Sequence, residues 1–532
     1  PPAHCAPKHK PSAGSGTGSD IALPVIEQSP RKGIAKSRVG PWRAGVLIAV
    51  HVVMAIHIIQ WLMSGMSDGI RNTLSPIEPS ESMFTLETGR VNAGFVFFCL
   101  AILATLIFGR FFCGWACHII AVQDFCAWVM KKFGVHPKPF RSRLMLWAPL
   151  VLALYMFVWP TFRREVLIPH IFGHDLNGDG RVSFVYVDGK GWEYPPWLGE
   201  VIPFTHYQNH FMVENYWATF APWYLAIPFM FVCGVAIVYF LGAKSFCSYG
   251  CPYGGFFAPA DRLAPGRIRV TDDCEQCGHC TAVCTSNVRV HEEVRDYGMV
   301  VDPGCMKCLD CISVCPNDAL YLGFGKPAAI AKPRVSDDAM AVSREKAAKR
   351  WDLSLGEEVV LGGVYLLMIM GFRGMYNAVP LLMAMGLGAV GTFMVYKVWR
   401  MVRDRNVRGP YWQLKRDGRW RPIGVIFTLV TAVFALLAAQ GLIMNWSINR
   451  GELLYAEVMT PREKVFAPGY VPETKDKELA ERAIRHFTRA GAIERGGVGF
   501  MSNYGSELRL AWLHAVAGDR DAGEKALRRA MD

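Results

Sequence analysis

The chain has 532 residues, 52% of them hydrophobic, with a formal net charge of +12 and a mean hydropathy of +0.19. Length alone predicts two to four domains, but this apolar fraction places much of the chain in a bilayer rather than in soluble cores. The Lys and Arg excess lies beside apolar runs rather than on an aromatic-studded polar face, which excludes nucleic acid as a partner and reads as membrane orientation signals.

Residues 1–41 are rich in Pro, Ser, Gly and Lys and contain no apolar core, so they are expected to form a disordered cytoplasmic tail with no cleavable signal peptide. The basic run from Arg31 to Arg43 then leads into a first apolar span, 42–61. Further spans are predicted at 91–112, 144–159, 224–241, 359–376, 380–397 and 423–446. Basic stretches from Lys131 to Arg143 and from Arg400 to Arg421 mark the cytoplasmic side, leaving the amino terminus inside and the carboxyl terminus outside. The expected fold is an all-α polytopic membrane protein of about seven transmembrane helices, with an inserted cytoplasmic ferredoxin-like α+β domain and a helical carboxyl-terminal tail. By domain, this gives a membrane part at 42–264 with a periplasmic loop at 160–222, the insert at 265–326, a linker at 327–355, three further spans within 356–446 and a periplasmic tail at 447–532.

The insert carries C-E-Q-C-G-H-C-T-A-V-C and then C-M-K-C-L-D-C-I-S-V-C-P, a C-x2-C-x2-C-x3-C run written twice, with eight of the chain's 16 cysteines. In such runs three thiolates on a tight loop hold one cubane while the fourth reaches the neighbouring one. The spacing assigns Cys274, Cys277, Cys280 and Cys315 to one [4Fe–4S] cluster, and Cys305, Cys308, Cys311 and Cys284 to another. Zinc sites more often use two C-x2-C pairs per metal. Iron–sulfur and thiol chemistry belong in a reducing compartment, which places this domain in the cytoplasm.

Two further motifs, Cys113-Gly-Trp-Ala-Cys117 and Cys247-Ser-Tyr-Gly-Cys251, each end a span, and each follows another cysteine, Cys99 or Cys233, by fourteen residues. They read as an internal repeat. Three readings stay open for Cys113, Cys117, Cys247 and Cys251: ligands of a third iron–sulfur cluster, redox dithiols, or small core residues.

The outer loop holds Asp175, Asn177, Asp179, Arg181 and Ser183 around Gly180, matching the first half of an EF-hand-type calcium loop, though Tyr186 stands where the bidentate glutamate belongs. Ca2+ competes there with a plain Asx-rich turn. His206, His210 and Glu214 are four apart and would share one face of a helix, as a metal site, a proton acceptor for quinol, or a polar interfacial face. Gly386-Leu-Gly-Ala-Val-Gly391 lies inside an apolar span, where small residues serve close helix packing rather than dinucleotide binding. In the tail, Ala483, Phe487 and Ala490, then Leu510, Leu513, Leu527 and Ala530, follow a tetratricopeptide-like scheme that an ordinary helical hairpin would also satisfy.

F-C-G-W-A-C and F-C-S-Y-G-C-P at span ends, with a doubled ferredoxin run directly after, together resemble the NapH/NosR/CcoG class of membrane polyferredoxins over roughly residues 42–325. His118 replaces the usual proline after the first pair. The resemblance implies a bacterial inner-membrane, iron–sulfur electron-transfer subunit of a respiratory complex. Its electrons would pass between the quinone pool, or a cytoplasmic donor, and a redox partner such as a periplasmic cytochrome or reductase. It also admits a reductase supporting metal-cofactor assembly. A non-enzymatic alternative is a membrane scaffold that recruits a periplasmic partner through its tail.

Overall fold

The computed structural model describes residues 33–67, 72–137, 139–171, 186–187, 191–192, 206–348 and 351–531. Residues 1–32 of the expected tail and the calcium-loop candidates at 175–183 lie outside them. Among the described residues the architecture is helical, with strands only in short pairs and one small three-stranded sheet. The chain forms two compact units: one is Pro1–His57, Cys99–Ala121 and Phe256–Arg350, and the other is Ile58–Phe98, Val122–Gly255 and Trp351–Asp532.

In the first unit, the strand Arg267–Val270 precedes the first cysteine run and pairs antiparallel with Leu320–Gly323, which follows the second. Pairing Val270 with Leu320 brings the two ends of the insert together. Ile268 and Leu320 turn into a core with Val288, Val290, Val294 and Val300, so β-branched side chains fill the space between the cysteine loops. The expected linker 327–355 contains a helix, Asp337–Ala348. It is held to the insert: the Ser343 hydroxyl donates to Asp296 Oδ2 at 2.5 Å, the Arg334 N–H donates to the Asp296 carbonyl at 2.7 Å, and Met340 is buried.

Among the described residues, six helices are long and apolar enough to cross a membrane: Val39–Ser64, Leu144–Leu167, Trp223–Leu241, Leu355–Phe372, Leu381–Arg403 and Pro422–Ala456. The expected second span, 91–112, is instead a 16-residue helix, Ala93–Phe108. At 1.5 Å per residue it is about 24 Å long, short of the roughly 30 Å hydrocarbon core. Gly109 ends it at φ 70°, and the Arg110 N–H turns to the buried Asp261 carboxylate at 3.0 Å rather than continuing the helix. The freed Ile107 carbonyl accepts from the Gly266 N–H.

The third span runs past the expected Trp159 to Leu167. Pro160 has no N–H to give the regular ladder, and π-type turns at Leu154–Val158 and Arg163–Ile171 flank it. Trp223–Leu241 repeats this arrangement, with Pro228 followed by a π-type turn at Phe231–Ala236. The predicted 359–376 span begins earlier, at Leu355, because Ser354 and Glu357 form a capping box. It therefore ends at Phe372, and Arg373 stands outside it, donating to the Tyr155 hydroxyl at 3.2 Å.

The last three long helices pack through small residues. A Cβ on Gly371 would collide with the Ala438 carbonyl, and one on Gly441 with the Gly371 carbonyl. The G-x-G-x-x-G stretch is part of the same packing: Gly386 meets Val232 and Ile237, Gly388 meets Tyr365 and Ile369, and Gly391 meets Phe434. The basic loop after Leu381–Arg403 folds into a three-stranded sheet of Val407–Arg408, Gln413–Arg416 and Arg419–Trp420 around buried Leu414.

Pro422–Ala456 has 35 residues. That is about 52 Å of helix, well beyond one bilayer crossing. Its far end becomes part of the tail's core, where Phe487 of the helix Thr474–Ala490 lies flat on Gly451 and Leu454 joins Val465, Leu479, Leu510 and Leu513. Tyr504–Val516 and Arg520–Met531 complete the tail as an antiparallel pair turning at Gly518, φ 88°. Ala483, Phe487 and Ala490 are buried as the spacing predicts, while Leu527 is exposed.

Gly441→Ala is expected to force the two helix backbones apart and destabilise the protein by about 1–3 kcal/mol, the usual range for overpacking. The check is a lowered thermal unfolding midpoint in detergent, with Gly363→Ala, at an exposed helix position with open space around it, not lowering the midpoint.

Candidate metal centre

The doubled cysteine run builds two cups. Cys274, Cys277, Cys280 and Cys315 line one cavity, with Gln276, His279 and His291. Cys284, Cys305, Cys308 and Cys311 line the other, with Ile268, Met306, Lys307 and Asp310. Each cup therefore takes three cysteines from one run and one from the other. The two loops have the same backbone: Gln276 and Gly278 in the first, and Lys307 and Leu309 in the second, all adopt positive φ, at 56°, 76°, 49° and 62°. Left-handed residues on either side of the middle cysteine curl the loop so that three thiols face inward. Helical turns at His279–Val283 and Asp310–Ser313 then carry the fourth cysteine of each run to the other cup.

Burial, reinforced by neighbouring Cys277 and Cys274, pushes the Cys280 thiol up to about 12. Burial with Cys308 and Cys305 beside it does the same to Cys284. Cys311 is raised well above its ordinary value by burial and by Cys305 and Cys308. Cys305 is raised by burial too, with Lys307 opposing the shift. Four such thiols can be thiolates together only around a strongly positive centre. Zinc would draw its ligands to about 2.3 Å from one point. Among the described residues no three His, Cys, Asp or Glu side chains converge closely enough to hold a single ion. The eight cysteines that line the cups are all thiol donors, the ligand type of iron–sulfur clusters.

Beside the second cup lies a buried ionic node that the motif spacing did not reveal. Asp261, fully buried, accepts from Lys307 Nζ at 2.5 Å and from Arg267 at 2.9 Å, and both cations are themselves fully buried. Lys307 Nζ also donates to the Cys305 carbonyl at 3.3 Å, and Arg267 to the Val300 carbonyl at 2.9 Å. On the other side of the loop, Asp310 accepts from the Ser37 hydroxyl at 2.6 Å and faces Arg43 at 3.5 Å. The only sequence signal was a lysine between two ligand cysteines. Asp261 falls before the expected domain boundary at 265, which therefore cuts through the node.

The two C-x3-C motifs share one local design. Each follows a positive-φ glycine, Gly109 or Gly242. Each places its first cysteine on a five-residue helix, Phe111–Trp115 or Ser245–Tyr249, closed by Ala116 or Gly250 at φ −124°. A longer helix, His118–Lys132 or Pro252–Leu263, starts just after the second cysteine. In the first unit, Cys113 is buried and its helix lies on the loop of the second cup: Trp115 Nε1 donates to the Lys307 carbonyl at 3.0 Å, and Gly114 meets the Met306 carbonyl so closely that no Cβ fits. In the second unit, Cys247 is buried and receives a hydrogen bond from Gln123 at 3.5 Å.

His206, His210 and Glu214 do not share a helical face. Their segment is extended, with Gln208–Asn209 pairing with Arg90–Val91 and Met212–Val213 pairing with Thr73–Leu74. Strand partners from the preceding loop replace the helix that the four-residue spacing would have needed, and all three side chains are exposed.

A family model described as a 4Fe-4S binding domain matches residues 93–136 and 224–271, once over each C-x3-C motif. The ferredoxin-type protein NapH of Haemophilus influenzae is 24% identical over 231 residues, covering 42% of this chain and 64% of that protein. The methylamine utilization ferredoxin-type protein MauN of Methylorubrum extorquens is 22% identical over 233 residues, covering 42% of this chain and 66% of that protein. The chain resembles polyferredoxins of the NapH type. It spans just under two thirds of the length of these two relatives, and no solved structure matches it. The double match within this chain coincides with the repeated glycine, short helix and long helix of the two motifs, and supports 4Fe–4S binding and a role in electron transfer.

Gly114→Ala is expected to displace the Cys305–Cys308 loop, lowering iron per purified chain, while Trp115→Phe, which removes one hydrogen bond of about 0.5–1.5 kcal/mol, should accelerate iron loss to a chelator without preventing assembly. Iron assay and chelation kinetics check both.

Proposed function

We propose that this chain is the membrane-bound electron-transfer subunit of a respiratory redox complex, linking the quinone pool or a cytoplasmic donor to a partner protein. The observation that carries the proposal is the seating of the first C-x3-C helix on the loop of the second cysteine cup through Gly114 and Trp115. Cys274, Cys277, Cys280 and Cys315 are proposed to hold one [4Fe–4S] cluster, and Cys284, Cys305, Cys308 and Cys311 another. Bound there, the clusters supply one-electron chemistry. The chain's part is to keep eight thiols in two closed cups, limit solvent around them, and fix one cup against a segment that enters the apolar helix Ala93–Phe108. The family match over both C-x3-C motifs supports further iron–sulfur ligation by Cys113 and Cys117 and by Cys247 and Cys251.

The proposed setting is the bacterial inner membrane, with the amino terminus and the ferredoxin cups cytoplasmic and the tail periplasmic. The placement of the basic stretches supports this orientation. Ala93–Phe108, extended by the break that follows it, is the proposed seventh crossing. The tail is proposed to meet a periplasmic redox partner.

Anaerobically purified protein is expected to contain about twelve irons by the four-per-cubane count, falling to about eight in Cys113→Ser/Cys247→Ser. Reduction of its clusters by a quinol analogue, followed by electron paramagnetic resonance, tests the quinone connection. Eight irons in both proteins would remove the further centre. Clusters unreactive to quinol but reduced by a soluble ferredoxin would move the donor to the cytoplasm.

A further inference from the structure

We infer that Lys307, held by Asp261, is a built-in countercharge that sets the reduction potential of the cup formed by Cys284, Cys305, Cys308 and Cys311, and of that cup alone. The inference rests on the proposal that both cups hold clusters. It starts from a difference between two loops that are otherwise alike. Gln276 and Lys307 occupy the same place, each just before the middle cysteine of its run and each at positive φ. Gln276 is half-buried, donates to Cys274 Sγ at 3.4 Å, and stands among the exposed acidic residues Asp272, Asp273 and Glu275. Lys307 is fully buried.

Cups of four thiolates carry negative charge, and reduction adds to it. The first cup can stabilise that added charge with nearby water, since Cys274, Cys277 and Cys315 are only partly buried. The second has less access to water, because three of its cysteines, Cys305, Cys308 and Cys311, are buried, against only Cys280 in the first. In such a place the electron is accepted at an accessible potential only if the protein supplies fixed positive charge, and net charge, burial and hydrogen bonds to sulfur are the known levers on these potentials. The charges packed around the second cup are Lys307 and Arg267 against Asp261, and Arg43 against Asp310, with Arg110 donating to the Pro303 carbonyl at 3.1 Å. Glu293 and Asp302 bind the backbone just before the loop, so the excess of cations is confined to the buried node itself, Lys307 and Arg267 against Asp261.

Stability alone does not account for the lysine. A buried ion pair is often replaceable by apolar side chains at no loss, because desolvation consumes much of the attraction. Lys307 sits where its ammonium donates to the carbonyl of Cys305, one of the cup's own cysteines. Asp261 holds it there and removes part of its field, so the two residues act on the cup with opposite sign. The same loop carries the Trp115 and Gly114 contacts, and the charge therefore favours the reduced state at the cup nearest the first C-x3-C motif.

The test is a potentiometric titration of the full-length protein in detergent, followed by electron paramagnetic resonance. Lys307→Gln, which copies the first loop, is expected to lower one of the two ferredoxin-type potentials and leave the other in place. Lys307→Arg should restore it, and Asp261→Asn should raise the same potential. Cys308→Ser identifies the affected wave as that of the second cup by altering it and not the other. Iron per chain equal to the wild type shows that the variants are assembled, and if Asp261→Asn does not assemble, the glutamine and arginine pair decides. Unmoved potentials in Lys307→Gln, equal shifts of both waves, or a shift in the same direction from Lys307→Gln and Asp261→Asn would each overturn the inference. Wild-type protein without eight irons in these cups would instead overturn the cluster assignment on which it rests.

Discussion

The carboxylate of Asp261 organises the first unit. It receives the Lys307 ammonium from the second cysteine loop, the Arg267 guanidinium from the first strand of the insert, and the Arg110 N–H from the break after Ala93–Phe108. Arg110 and Lys307, far from it in sequence, and Arg267, six residues on, meet at one fully buried group. A lone carboxylate in that position would be prohibitively costly, and so would either cation without it. The node therefore admits one arrangement of these segments, and that arrangement brings the first C-x3-C helix onto the second cysteine cup. Gly109 follows from the same constraint, since a side chain there would meet Asp261 and Lys307.

In the second unit the constraint is steric rather than ionic. Apolar helices in lipid gain little from hiding apolar surface, so they associate where backbones can come close. Gly371, Gly441 and Ala438 provide that approach between two long helices, and Gly386, Gly388 and Gly391 make room for side chains of three neighbours. Prolines in the second and third long helices are absorbed by π-type turns instead of ending the span. The last long helix outruns any bilayer and supplies Gly451 and Leu454 to the tail, so an apolar helix and the tail share one core. The tail's best covered helix is thus covered by the chain itself.

The cysteine spacing anticipated how the thiols group into two cups, with Cys284 and Cys315 exchanged between them, because a fourth cysteine one helical turn beyond a tight loop has only one direction to go. Hydropathy located the long helices, and the distance between Cys99 and Cys113, repeated at Cys233 and Cys247, marked the internal repeat. The spacing of His206, His210 and Glu214 misled, because a four-residue period assumes a helix, and here strand partners from a distant loop made the backbone extended. The second span was read as too long because nothing local shows that Arg110 will find a carboxylate at position 261.

Local pattern thus determined what kind of chain this is: which stretches are apolar enough for lipid, which cysteines form cups, and where the motif recurs. Those properties depend on residue type and short spacing. Only the tertiary structure decided which cup meets a C-x3-C helix, why a lysine lies buried between two ligand cysteines, and where a span breaks. Each of these depends on a partner more than 40 residues away, Asp261 for Lys307 and Arg110, and the Lys307 carbonyl for Trp115, and no periodicity in the sequence encodes such a meeting.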